Sequence, residues 1–229
     1  MTRGRPRLLE PVCINSPSSF YAMSRLSVAE RERRYESFWK RRCAEVFHQT
    51  NEEDPHVDVY RYAPTRIPWA RERRCHVYIT GGMTERMMPV ATGDEGGRVR
   101  RVELCACTRT VRDAEPGRDA VAWALRTLAH LPWREGISLM PLETVTWGGR
   151  ILEASGMSAF FLAIPPADED EGLRRAANAD LVLQVMTIRE EERAFAVREG
   201  SVALVDRFEA AGIAPLIDWD RPSCVERAP

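Results

Sequence analysis

Cysteine and histidine are the residue types in this 229-residue chain that could carry nucleophilic or metal chemistry. A thiol becomes a nucleophile when a histidine lies within hydrogen-bond reach, and such a pair could be drawn from Cys75 or Cys105 with His76 or His130. Cys75 and His76 are neighbours on a predicted strand, so their side chains point to opposite faces of the sheet. This placement argues against that pair. We therefore expect no enzymatic activity, and a small thiol-dependent hydrolase is the alternative.

Metal and phosphate motifs are incomplete. Cys105 and Cys107 share one face of an alternating strand, but no CxxC or HxxxH motif supplies a second pair of ligands, so we expect free buried thiols. His48 and His56 flank a loop and are expected to be exposed. The glycine-rich loop 93–97 is followed by no Lys-Ser/Thr pair and opens no helix, which argues against a phosphate-binding loop. No G-x-S-x-G, HExxH or dinucleotide-binding fingerprint occurs, and no metal or other cofactor is expected.

Composition excludes several classes of partner. The chain has 33 basic and 34 acidic residues, and this net charge of −1 creates no global field that would hold nucleic acid or an anionic membrane. No apolar run approaches the length of a membrane span, about 18 residues. Arg3, Arg5 and Arg7 are followed by no apolar segment, so no signal peptide is predicted and a cytoplasmic location is expected. Lys40 is the only lysine, which fits a GC-rich genome.

The helices and strands that must position any site are predicted to begin after an N-terminal segment that has no hydrophobic periodicity. We expect residues 1–25 to be disordered, with Met23 as an alternative start, and residues 26–229 to form one domain. Ser27 and Glu30 have the spacing of a capping box, and helical spacing of apolar residues continues from Val28 to Phe47. Arginines and glutamates interleave on its other faces, which favours a solvated, ion-paired surface over a nucleic-acid stripe.

Further along the chain, strands and helices alternate. A single α+β domain with a mixed β-sheet flanked by helices fits this order best. Pro116-Gly117 is predicted to open a helix that Pro132 ends, and Thr187 to Glu190 is predicted to be a second capping box. Gly212 suits the end of the last helix. The strands are predicted at 57–62, where Pro64 breaks the run, and at 75–80, 99–108, 159–164 and 181–186.

Several segments carry a resemblance to a known family. In the N-terminal half, they are Asp58-Val59-Tyr60, then His76 to Thr84 with its Thr80-Gly81-Gly82-Met83-Thr84 turn, then Val102-Glu103-Leu104. In the C-terminal half, they are Leu183-Gln184-Val185-Met186-Thr187 with Glu190 and Glu191, then Gly200, then Asp218-Trp219-Asp220-Arg221-Pro222-Ser223. Their order and spacing resemble the Suppressor of fused-like domain over roughly residues 30 to 226.

The resemblance implies a non-enzymatic domain that binds other proteins. The animal member of the family sequesters zinc-finger transcription factors of Hedgehog signalling, using this domain and a second, C-terminal one. Stand-alone bacterial members are proposed to be immunity proteins that neutralise a toxin encoded nearby. For this chain the resemblance implies that the partner is another protein, either a toxin or an extended peptide segment. The arginine bias and the lack of low-complexity tails fit a stand-alone bacterial member.

The resemblance also implies a binding surface. In the animal protein an acidic residue, four positions before a tryptophan, helps to grip an extended peptide. That spacing here gives Glu143 and Trp147, and Leu131 falls where the animal protein has an aromatic contact. Val145 and its neighbours could offer an edge strand to which a peptide adds. Alternatively, Leu131 and Trp147 belong to the core and Glu143 is an ordinary surface carboxylate.

A second candidate surface is the acidic loop that is predicted after the fourth strand. Clustered like charge raises the rate at which a basic partner is encountered, even where it adds little affinity. The alternative is a solvated turn without a partner. The residues of this loop are Asp168, Glu169, Asp170 and Glu171.

Overall fold

The structure is a computed structural model that describes residues 26–66, 74–89, 101–165 and 167–225. Within them, nine strands and five helices follow one another. The strands are β1 (Cys43–Phe47), β2 (Asp58–Arg66), β3 (Arg74–Gly81), β4 (Val102–Thr108), β5 (Asp113–Glu115), β6 (Arg118–Asp119), β7 (Thr144–Thr146), β8 (Ala159–Ala163) and β9 (Leu181–Ile188). The helices are α1 (Val28–Trp39), α2 (Ala120–Glu135), α3 (Ala167–Ala177), α4 (Glu190–Glu199) and α5 (Ser201–Ala210).

Seven of the strands form one mixed sheet in the order β1-β2-β3-β4-β9-β8-β7. The central pair, β4 and β9, is parallel, and the other neighbouring pairs are antiparallel. Strands β5 and β6 form a separate hairpin. The sheet therefore has two outer strands, β1 and β7, which lie at opposite edges.

Helices cover both faces of the sheet, and the alternation of side chains along β8 shows this directly. Phe160 and Leu162 pack into the core beneath α2, whereas Phe161 points to the opposite face and meets Phe208 of α5, with ring centroids 5.9 Å apart. Helices α1 and α3 cover the rest of that opposite face. Because both faces are covered, β8 is a continuous apolar run and β9 is buried along its whole length, as the sequence predicts. The predicted α+β class with a mixed sheet between helices is confirmed.

The first helix is shorter than its apolar spacing predicts. Ser27 caps α1 by accepting the backbone N–H of Glu30, as expected, but the helix ends at Trp39 because Lys40 adopts a left-handed conformation with φ of 51°. The apolar residues after it belong to β1, which pairs with β2. The spacing had merged a helix and a strand into one element.

The prediction for the second helix is also wrong at both ends. Pro116-Gly117 forms the turn between β5 and β6, and Asp119 is the true N-cap, since its carboxylate accepts the backbone N–H groups of Val121 and Ala122. Pro132 lies inside α2. A proline in the last turn removes only one of the helical hydrogen bonds, so the helix continues to Glu135.

Three further boundaries differ from expectation. Strand β2 continues past Pro64, because an irregularity in its pairing accommodates a residue that has no N–H. The second capping box lies two residues later, where the Glu192 carboxylate accepts the N–H of Arg189, since Thr187 still belongs to β9. The acidic segment 168–171 forms part of α3 and is not a loop. The end of α5 is as predicted, with Gly212 at φ of 65°.

Two predictions concern segments outside the described residues, namely the lead-in 1–25 and the glycine-rich loop 93–97. Among the helices that the structure describes, none has both the length and the apolar character that a membrane span requires.

Candidate functional site

The sheet itself separates the thiols from the histidines that could activate them. Cys75 and Cys105 are completely buried on the face that α1 and α3 cover. His76 lies on the other face, as alternation along β3 requires, and His130 belongs to α2, which covers that face. The structure therefore does not bring any of the predicted thiol–histidine pairs together. Within the described residues, no group of three or more His, Cys, Asp or Glu side chains could hold a metal ion.

The remaining histidines contact residues in and around the loop between β1 and β2. His48 and His56 are both exposed, as predicted, and each ring has a nitrogen within 3.4 Å of the same oxygen of buried Asp58. Behind this loop the ring of His130 contacts the side-chain oxygen of Gln49 at 3.1 Å. Burial lowers the pKa of His130, so it is neutral at physiological pH. These contacts hold the loop in place.

Strand β7 is an outer strand of the sheet, and no described strand pairs with its outer side. Its pairing with β8 places Thr144 opposite Phe161 and Thr146 opposite Ala159. Glu143 and Trp147, on either side of the strand, both bond to β8, since the carbonyl of Glu143 accepts from Leu162 and the N–H of Trp147 donates to the carbonyl of Ser158. Antiparallel pairing alternates between bonded and non-bonded positions, so the main-chain groups of Thr144 and Thr146 point away from the sheet. No residue in the described part of the chain hydrogen-bonds to these groups, so they are available to an added strand.

The same alternation sends Glu143, Val145 and Trp147 to the face of the sheet that α2 covers. Trp147 is half-buried, and its ring lies edge-on to Trp123 of α2 at 5.0 Å and to Phe160 at 5.4 Å. Val145 and Trp147 both pack against the core on this face. Strand β7 therefore meets α2 along a surface of partly exposed apolar side chains.

Leu131 lies on α2, on the same stripe of the helix as Trp123. It is half-buried and follows Trp123 and Thr127 at intervals of four residues, which places the three side chains on one stripe of the helix. Trp123 and Thr127 are additional surface residues that the sequence reasoning did not single out. The signal that could have found them is this spacing of four, which differs from the buried stripe through Val121, Leu125 and Leu128.

Glu143 is exposed at the start of this surface. Its carboxylate accepts the N–H of Met140 at 2.9 Å and so closes the turn that leads into β7. The carboxylate therefore has a local structural bond and also faces solvent. We call the whole surface the edge site, which consists of Trp123, Leu131, Glu143, Val145 and Trp147 with the outward main chain of Thr144 and Thr146.

The acidic segment lies elsewhere. Helix α3 packs through Leu173 and Ala177 on the face of the sheet opposite to α2. Glu171 is exposed and pairs with Arg175 at 2.5 Å, within the same helix. The structure thus separates the two predicted surfaces, since the edge site faces α2 and residues 168–171 belong to the helix layer on the other side.

The motifs that carry the family resemblance hold the fold together. Glu103 is completely buried, and its carboxylate accepts the backbone N–H groups of Gly82 and Thr84 at 2.9 and 3.2 Å and the hydroxyl of Thr80 at 2.6 Å. These bonds fix the turn Met83–Glu85 to β4. Burial is the largest influence on Glu103 and raises the pKa of its carboxyl group.

The second such motif is a buried ion pair near the end of the chain. Arg221 binds both carboxylate oxygens of Glu192, at 2.6 and 2.7 Å, and also donates to the carbonyl of Thr187 at 2.9 Å. Burial by itself would raise the pKa of Glu192, but the hydrogen bonds and the charge of Arg221 outweigh burial and lower it. The pair fastens the C-terminal segment to the start of α4.

The chain is similar to known proteins in sequence and in fold. The family model described as Suppressor of fused protein (SUFU) matches residues 53–222, which is more than half of the chain. No curated protein matches this sequence. Among solved structures, a proposed SUFU homologue from Neisseria gonorrhoeae FA 1090 is similar with a TM-score of 0.63 at 21% identity, over 87% of this chain and 97% of that one.

Two further crystal structures share the fold. The Sufu–Fu complex has a TM-score of 0.57 at 14% identity, over 84% of this chain and 89% of that one. Drosophila Suppressor of Fused has a TM-score of 0.53 at 12% identity over 84% of this chain, which spans only 50% of the Drosophila protein. The family model and the shared fold agree with the motifs that Glu103 and Arg221 anchor. The chain belongs to the Suppressor of fused family.

Proposed function

We propose that this chain is a non-enzymatic protein-binding domain that sequesters or neutralises another protein, in the way that an immunity protein neutralises a toxin. The observation that carries the proposal is the edge site, where an open strand lies beside a partly exposed aromatic surface. Family membership supports it, since the related Sufu was solved as a complex with Fu.

The binding mode that we propose is addition of an extended peptide to β7. Such a peptide would pair with the outward main-chain groups of Thr144 and Thr146, and its side chains would alternate between solvent and the surface of Trp123, Leu131 and Trp147. The half-burial of these apolar residues leaves area for a partner to cover. Glu143 would select a cationic or hydrogen-donating side chain.

The acidic first turn of α3, residues 168–171, is the second surface in the proposal. There, clustered carboxylates would speed the approach of a basic partner without adding much affinity. The salt bridge between Glu171 and Arg175 is exposed on both sides and therefore weak, so it leaves that carboxylate available for steering.

The test uses two substitutions at one position. Thr146→Pro removes the outward N–H of an edge strand, a position where proline is tolerated, and Thr146→Val removes only the hydroxyl group. The full chain and both variants are used as bait in lysate of the native cell, the captured protein is identified, and its affinity is measured with purified components. We expect Thr146→Pro to weaken binding about tenfold or more and Thr146→Val to leave it nearly unchanged.

Equal affinity of all three proteins would show that the partner does not add to β7. Measured turnover that is lost on substitution of Cys75 or Cys105 would instead favour the hydrolase.

The proposal also includes a cytoplasmic location and a bacterial source, which the sequence features support. A gene for a large secreted toxin beside the encoding gene would support the immunity role.

A further inference from the structure

A groove of about 580 Å³ lies between α1 and α3, on the face of the sheet opposite to the edge site. Along α1 its lining residues occur at positions 30, 33, 34, 37 and 38, which is the spacing of one helical face. Along α3 they occur at positions 172, 175 and 176, which is also one face. Two helix faces therefore converge on a shared opening.

The charged side chains that line the groove are mostly arginines. Arg33 and Arg34 of α1 and Arg175 of α3 line it, and Glu30 is the acidic residue among its lining. Three guanidinium groups from two helices against one carboxylate make the groove positive. Because a guanidinium group matches a carboxylate in a planar, two-bond geometry, such a groove suits an acidic ligand.

The ion pairs that these arginines form are weak. Arg34 pairs with Glu30 at 3.0 Å and Arg175 pairs with Glu171 at 2.5 Å, in each case across one turn of the same helix. The first pair is partly exposed and the second is fully at the surface. Exposed pairs of this kind contribute little, so an incoming carboxylate can take their place. Arg33 is exposed and has no ion-pair partner among the described residues.

The floor of the groove is apolar. The ring of Phe38 is half-buried there and lies so close to Gly172 that a Cβ atom on the glycine would come within 2.9 Å of the ring. Glycine in the middle of α3 thus permits the ring to pack against the helix. An occupant could place an apolar side chain on this ring between the groups that bind the arginines.

We propose that this arginine groove binds an acidic segment of a partner protein, in which Asp or Glu residues alternate with apolar ones. Charge complementarity with the three arginines and the apolar floor both favour such a peptide. Nucleic acid fits less well, because the chain has a net charge of −1 and therefore no general positive field that would hold a phosphate backbone. The groove does not depend on the proposed function of the edge site, since the two surfaces lie on opposite faces of the sheet.

The test measures binding of a short fluorescein-labelled peptide, in which Glu and Asp alternate with Ala and Leu, to the full chain by fluorescence anisotropy. The double variant Arg33→Gln/Arg175→Gln removes two groove charges. A matched control, Arg118→Gln/Arg198→Gln, removes two exposed arginines that pair with neighbouring glutamates outside the groove. We expect the groove variant to weaken binding about fivefold and the control to leave it within about twofold.

Two comparisons make the result specific. The same peptide with Gln and Asn in place of Glu and Asp is expected not to bind, and added salt is expected to weaken binding of the acidic peptide. Equal affinity of the groove variant and the control would overturn the proposal, as would no binding of the acidic peptide to the unmodified chain. Tighter binding of a labelled single-stranded oligonucleotide of equal charge would overturn it in favour of a nucleic-acid site.

Discussion

The two edge strands of the sheet, β1 and β7, differ in whether helix side chains bond to their main chain. At the β1 edge, helix side chains bond to the main chain at the two ends of the strand: the Glu36 carboxylate of α1 accepts the N–H of Cys43 at 2.9 Å, and Arg126 of α2 donates to the carbonyl of Phe47 at 2.8 Å. At the β7 edge, no helix side chain in the described part of the structure bonds to the main chain of Thr144 or Thr146. Among the described residues, helices therefore protect the two ends of the β1 edge, whereas β7 has no such protection.

The difference indicates where a partner strand can add. An unpaired edge is a template for association, and proteins commonly block such edges with charged side chains or cover them. The chain does this at β1, where Glu45 and Arg61 also form an ion pair at 2.6 Å. It leaves β7 with a short Thr-Val-Thr sequence beside the half-buried rings of Trp123 and Trp147. This difference between the two edges is the reason that we propose β7, and not β1, as the binding edge.

The largest expected effect is a loss of stability when the buried ion pair between Arg221 and Glu192, on the β7 side of the sheet, is broken. Arg221 holds β9 and the start of α4 together through Glu192 and the carbonyl of Thr187. Arg221→Ala would leave the Glu192 carboxylate buried without a partner, and we expect it to lower the free energy of unfolding by about 3–5 kcal/mol, measured by urea denaturation. The double variant Arg221→Met/Glu192→Met removes both charges and is expected to recover most of that loss. No recovery would show that packing, not the pair, fastens this side of the sheet.

The same pair predicts a dependence of stability on pH. The pKa of Glu192 is lowered in the folded protein from its ordinary value of 4.5, so below 4.5 the unfolded chain binds protons more readily than the folded one. The contribution of the pair is therefore complete above that value and is lost as the pH falls through the lowered pKa. Urea midpoints measured at neutral and acidic pH are expected to fall less steeply for Arg221→Met/Glu192→Met than for the natural chain. Equal slopes would contradict the assignment.

A smaller effect is expected at the β1 edge. Glu36→Ala removes the acceptor of the Cys43 N–H, and we expect a loss of about 1 kcal/mol in the free energy of unfolding together with increased self-association through β1. Glu36→Gln keeps an acceptor oxygen and is the control. Urea denaturation gives the first quantity and sedimentation velocity the second. If Glu36→Ala stays monomeric at full stability, the bond from Glu36 to Cys43 does not protect the β1 edge.

The smallest effect on stability is expected at the β7 edge. Glu143→Arg loses the bond to the N–H of Met140 in an exposed turn, so we expect the melting temperature to change little, corresponding to about 0.5 kcal/mol or less. The same substitution is expected to weaken binding of the captured partner, because it reverses the charge of the edge site. Glu143→Gln retains an acceptor for the turn and separates the two roles. Unchanged affinity in both variants would move the partner surface to residues 168–171.

Local sequence was sufficient for the elements whose signals are local. The cap at Ser27, the buried strands around Phe160 and Leu183 and the left-handed Gly212 were predicted correctly, because capping, apolar runs and glycine conformation depend on neighbours along the chain. The opposite orientation of Cys75 and His76 also follows from strand geometry alone. These features needed no knowledge of what packs around them.

Tertiary structure decided the rest. Helical spacing from Val28 to Phe47 could not reveal that the chain turns at Lys40, since β1 exists only through its pairing with β2. Pro132 could not be placed inside α2 from local signals. Residues 168–171 were predicted as a loop because they are acidic, and they belong to α3, which packs on the sheet through Leu173 and Ala177. The openness of β7 is likewise invisible in a three-residue strand, because an edge is defined by which strands lack a neighbour. The sequence determined the pieces and the family, and only the pairing of distant strands determined which edge is left free.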